Sequence, residues 1–73
     1  MNRLLEPGEL YCFDIAQYKC TAQRMPEPRE DDVYVVVSLN GEHVGEFICD
    51  AELTVVAIRI LTARRIFEET IDA

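Results

Sequence analysis

The stretch Val33–Leu39, followed by Asn40-Gly41, constrains the fold of this chain more than any other. VYVVVSL is almost entirely β-branched or aromatic, and such side chains pack best on a pleated, half-buried surface. Asn and Gly both tolerate the positive φ that a two-residue type I′ turn demands, so a hairpin over residues 33–49 is expected. An uninterrupted register from that turn sets Leu39 against Glu42, Ser38 against His43, Val37 against Val44, Val35 against Glu46, Tyr34 against Phe47 and Val33 against Ile48. Side chains alternate across a strand. One face of the hairpin then carries Val33, Val35, Val37, Leu39, Val44 and Ile48, and this is the expected core face.

Residues 51–72 read as one helix, with Asp50 as N-cap and Glu52 in the first turn. At 100° per residue, Leu53, Val56, Ala57, Ile60, Leu61, Ala63, Phe67 and Ile71 form a broad apolar stripe that is expected to cover the hairpin. Val55, Ile58 and Ile66 lie on the opposite side, around Thr62. A chain of 73 residues has room to bury one such face. Val55, Ile58, Thr62 and Ile66 are therefore expected to meet a partner. Arg64 falls inside the broad stripe, and rise per residue along helix and strand places it near Glu42, which predicts a partly covered ion pair. The competing expectation is an Arg64 whose stem packs while its guanidinium reaches water.

Residues 1–8, with Pro7-Gly8, read as a tail entering a turn, and residues 9–25 as a strand region. Within it, 17–25 also fits a helix capped by Asp14; strand is preferred because Tyr, Cys and Thr cluster there. Pro26 and Pro28 exclude regular pairing, so 26–32 is a loop. Glu27, Glu30, Asp31 and Asp32 make it acidic, either as a solvated connection or as a contact patch for a basic partner. The fold class that follows is α+β in two layers and one domain, 1–73. A small antiparallel sheet of about three strands carries one C-terminal helix on one face, β-β-β-α in chain order.

Fourteen acidic and seven basic residues leave a net charge of −7. Nucleic-acid backbones and anionic membranes repel such a chain, so direct binding to either is not expected. No stretch approaches the roughly 18 apolar residues of a membrane span. The start, MNRLLEPGELYCF, lacks the apolar run of a signal peptide. With an odd number of cysteines, these features predict a reduced, cytoplasmic protein in which Cys12, Cys20 and Cys49 act as small buried hydrophobes.

No catalytic residue, metal or cofactor is expected. His43 faces Ser38 across the hairpin, but no oxyanion hole or pocket accompanies them. Cys12, Cys20, Cys49 and His43 could formally ligate zinc, yet they contain no close cysteine pair. His43 and Cys49 also lie about 20 Å apart at strand rise. The expected function is a non-enzymatic protein-binding module, an inhibitor or adaptor, similar in general character to small acidic anti-defence proteins of phage. Its target would be another protein, with nucleic-acid-binding proteins as natural candidates. The contact residues would be Val55, Ile58, Thr62 and Ile66, with Glu27, Glu30, Asp31 and Asp32. The module is itself expected to be a homodimer, and the alternative is a homodimeric structural or assembly subunit with no inhibitory role.

Overall fold

A computed structural model describes residues 2–69. Four strands, β1 (Leu10–Ile15), β2 (Tyr18–Arg24), β3 (Asp32–Leu39) and β4 (Glu42–Asp50), form an antiparallel meander in the order β1-β2-β3-β4. Helix α1 (Val55–Arg64) follows and continues into a π-helical turn, Arg65–Glu69. The α+β class is as expected, with one more strand, because residues 9–25 form a hairpin of their own. Its two-residue turn is Ala16-Gln17, with Ala16 at φ 53°. Alanine seldom occupies that region, so the turn carries none of the usual Gly, Asn or Asp signals. At the other hairpin, Asn40 (φ 53°) and Gly41 (φ 84°) both take the positive φ their types permit.

The register beyond Asn40-Gly41 corrects the sequence expectation. Leu39 pairs with Glu42 and Ser38 with His43, but Val37 then pairs with Gly45, Val35 with Phe47 and Val33 with Cys49. A bulge accommodates Val44, and one extra residue moves every later side chain of β4 to the opposite face. Phe47 and Cys49 thereby join Val33, Val35 and Val37 on the covered side, while Val44 and Ile48 point outward, exposed. Glycine inside a strand often marks such an irregularity, and Gly45 sits beside this one.

Across the covered face run the rows Tyr11–Ala22–Val35–Phe47 and Phe13–Cys20–Val37–Gly45. The helix closes this face with Val55, Ile58, Thr62 and Ile66, all buried. The expectation that these four face a partner is overturned: they belong to the core. Asp50 does not cap the helix. Its side chain accepts from the Glu52 N–H at 2.8 Å and shapes a turn instead. Thr54 is the N-cap, its Oγ1 accepting from the Ala57 N–H at 3.3 Å. Ile58 and Thr62 are fully buried, and the Thr62 hydroxyl is satisfied by the Ile58 carbonyl at 2.7 Å, one turn back. The expected continuation through Ile71 and Asp72 lies outside the described residues.

Residues 2–9 are built into the fold rather than trailing from it. Leu5 is fully buried, Leu4 bridges to Thr54, and the Arg3 carbonyl accepts from the Val55 N–H at 2.7 Å. The Arg24 guanidinium ties this segment to the acidic loop, donating to the carbonyls of Leu5 (2.8 Å) and Glu30 (2.7 Å). Pro7-Gly8 makes the expected turn, with Gly8 at φ 81° and the Glu9 N–H donating to Glu6. Truncating Ile58 to Ala should cost about 2–5 kcal/mol of unfolding free energy. Truncating Ile60 to Ala, only two residues away, should change it by no more than about 0.5 kcal/mol. Urea denaturation of the two variants side by side checks this; equal losses would contradict the orientation of the helix.

Candidate functional site

The other side of the helix is open. Val56, Ile60 and Phe67 are 42%, 57% and 48% exposed. With Ala63 they recur at intervals of four, three and four, which places them in one stripe along α1 and the π-helical turn. Sequence periodicity groups these residues correctly but assigns them to the core. Periodicity alone does not separate the two faces, which differ here in their contacts with the N-terminal segment at Arg3 and Leu5. Leu4, half exposed, lies at the start of the same helix through its bridge to Thr54.

Arginines flank the stripe. Arg59 and Arg64 are both exposed. Arg64 Nε lies 3.5 Å from Glu68 Oε2, so the expected ion pair with Glu42 does not form. The helix starts at Val55 and turns its other side to the sheet, which carries Arg64 outward and away from Glu42 on β4. Arg65 instead lies over the Phe47 ring, 4.6 Å from its centroid.

A second open surface is the outer face of the sheet. Its rows are Leu10–Gln23–Tyr34–Ile48, Cys12–Thr21–Val36–Glu46 and Asp14–Lys19–Ser38–His43. Leu10 and Ile48 stand exposed at opposite edges, with Val36 half-buried between them. Charged groups here are satisfied locally. Lys19 Nζ reaches Asp14 at 3.4 Å, and Glu46 accepts from Tyr34 while lying 2.9 Å from His43 Nε2. The bond from Tyr34 holds the Glu46 carboxyl below its ordinary range, with His43 adding to the effect, and the same bond raises the Tyr34 hydroxyl. Tyr34 is thus a proton donor held in its neutral form. Ser38 faces His43 in register, but its hydroxyl donates to the Lys19 carbonyl at 3.3 Å and leaves His43 to Glu46.

The cysteines divide. Cys20 is buried and Cys49 half-buried, as small hydrophobes, and burial raises both thiols. Cys12 departs from expectation: it is exposed on the outer face, at a shallow depression bounded by Asp14, Lys19 and Thr21. Among the described residues no three His, Cys, Asp or Glu side chains converge as a metal site would require. Within the acidic loop, Glu27 and Asp31 are exposed and Glu30 and Asp32 half-buried, with Asp32 opening β3 and lying 3.5 Å from Arg29. The loop therefore carries charge outward at Glu27 and Asp31, while its backbone is tied down by the Arg24 and Asp31 contacts.

The anchor that sets the helix start is itself electrostatic. Arg3 pairs with Glu9 through both guanidinium ends, and the Glu6 N–H donates to the same carboxylate at 2.9 Å. Together they lower the Glu9 carboxyl from 4.5 to about 2, the Arg3 bond contributing most. A carboxyl depressed in the folded state stabilises it fully above pH 4.5, and that contribution disappears as pH falls toward 2. Acid should therefore lower the thermal midpoint less steeply in Glu9→Gln than in the unaltered chain over this window. Parallel slopes would contradict the anchoring role.

No helix among the described residues is long and apolar enough to cross a membrane. Comparison with protein-family models, with curated proteins and with solved structures finds no match for this chain.

Proposed function

We propose that this protein is a non-enzymatic binding module, an inhibitor or adaptor that acts by docking on another protein. The observation that supports this most is the exposed stripe of Val56, Ile60 and Phe67 on a helix whose opposite side already completes the core. Three large apolar side chains in line on one helix each leave about half their surface to water, and such lines commonly mark contact surfaces. The net charge of −7 favours solubility and association with basic proteins, and opposes direct binding to nucleic acid or to anionic membranes. The same proposal places the protein in the cytoplasm, on its odd cysteine count and free thiols.

A second reading, a homodimer through the outer sheet face, is favoured by one specific observation. Leu10, Val44 and Ile48 are exposed there, and the neighbouring charges are mutually paired, so a second copy would meet little repulsion despite the acidity of the whole.

Light scattering and affinity capture separate the two. Under the docking reading the purified chain has a mass of 8.4 kDa. Ile60→Asp then abolishes capture of a specific partner while the circular dichroism spectrum stays unchanged. Under the dimer reading the mass is twice that value and Ile48→Asp halves it. A partner retained equally by Ile60→Asp and the unaltered chain would overturn the docking reading.

A further inference from the structure

The charges around the helix stripe specify its partner further. This step rests on the docking reading above. Leu53 to Phe67 contains three of the seven basic residues and none of the fourteen acidic ones. At 100° per residue, Val56, Ile60, Ala63 and Phe67 fall within about 60° of one another, with Arg59 on one flank and Arg64 on the other. Other cations of this chain are engaged internally: Arg3 with Glu9, Lys19 with Asp14, Arg24 with two carbonyls, Arg29 with Asp32 and Arg64 with Glu68. Arg59 makes no such bond among the described residues, although carboxylates outnumber cations two to one.

A second copy is a poor occupant of this stripe. An antiparallel pairing that sets Val56 against Phe67 of the second copy brings like edges together, with Arg59 of both copies along one edge of the contact and the Arg64–Glu68 pairs along the other. Like charges so placed disfavour the pairing. A partner carrying carboxylates reverses the sign of the same interaction. The stripe is about 16 Å long from Val56 to Phe67 at helical rise, and one helix face wide. Contact with a flat surface would bury little of it, whereas a groove takes up a single helix through anchors spaced by three and four residues.

We infer that α1 and its π-helical turn insert into an apolar groove of another protein, rimmed by carboxylates, with Val56, Ile60 and Phe67 as anchors and Arg59 as the residue that reads the rim. The charge pattern separates this contact from the acidic remainder of the surface, which a basic partner would choose.

The test places a benzophenone photo-crosslinking residue at Ile60, and in a parallel variant at Gln23 on the outer sheet face, in the full chain expressed in its own cells. Mass spectrometry maps the captured segment. The expected result is a protein segment of apolar residues flanked by Asp or Glu. Capture should fall at least tenfold in Arg59→Glu, and replacement of a mapped partner carboxylate by Arg should restore it. A mapped segment without carboxylates, capture indifferent to Arg59→Glu, or a cross-link from Ile60 to a second copy of this chain would each overturn the inference. So would sedimentation of the purified chain with phosphatidylserine–phosphatidylcholine vesicles, lost in Ile60→Asp, which would identify the stripe as a membrane contact. A cross-link from Ile60 to a protein segment without carboxylates would leave the docking reading standing, whereas capture from Gln23 alone would overturn both. Capture from neither position would overturn both.

Discussion

The hydrogen bond from the Val55 N–H to the Arg3 carbonyl, at 2.7 Å, ties the first turn of the helix to the N-terminal segment, and the side of the helix that carries Val55 is the one packed on the sheet. With Thr54 as cap and Leu4 bridged to it, Val55, Ile58, Thr62 and Ile66 turn inward at intervals of three, four and four. Leu5, fully buried beside them, makes the N-terminal segment part of the same core. The N-terminal segment thus packs with the buried side of α1 and closes the same core.

A parallel decision is made in the sheet. The bulge at Val44 shifts β4 by one residue relative to the turn that starts it, which brings Phe47 and Cys49 beneath the helix and sends Ile48 to the open side. Phe47 then receives the Arg65 guanidinium on its ring, so the bulge also helps place the π-helical turn. Both irregularities act alike. Each moves apolar side chains between the covered and open faces without changing how many there are, and the surfaces available to a partner are what remains.

Much of this was legible in the sequence. The α+β class, the hairpin at Asn40-Gly41, the strand character of 18–24, the turn at Pro7-Gly8 and the helix after residue 51 all follow from local chemistry that the structure keeps. The idea that the helix carries one apolar face more than the fold can bury also holds, but with the faces exchanged. Periodicity reports that two stripes exist; it does not report which one packs, because that depends on long-range contacts, among them Arg3 with Val55 and buried Leu5, some fifty residues away in sequence. The Ala16-Gln17 turn was hidden for a different reason, since alanine at positive φ leaves no compositional mark. Val44 and Ile48 face outward because of a bulge that an uninterrupted register does not contain, although Gly45 stands beside it.

The sidedness of the helix underlies both the packing account and the docking surface, and methyl NMR tests it on the intact protein. With a soluble gadolinium chelate added, the methyl groups of Val56 and Ile60 should broaden strongly while those of Val55 and Ile58 stay sharp, as buried methyls do. Protection of Val56 and Ile60 with broadening of Val55 and Ile58 would contradict the account at its foundation.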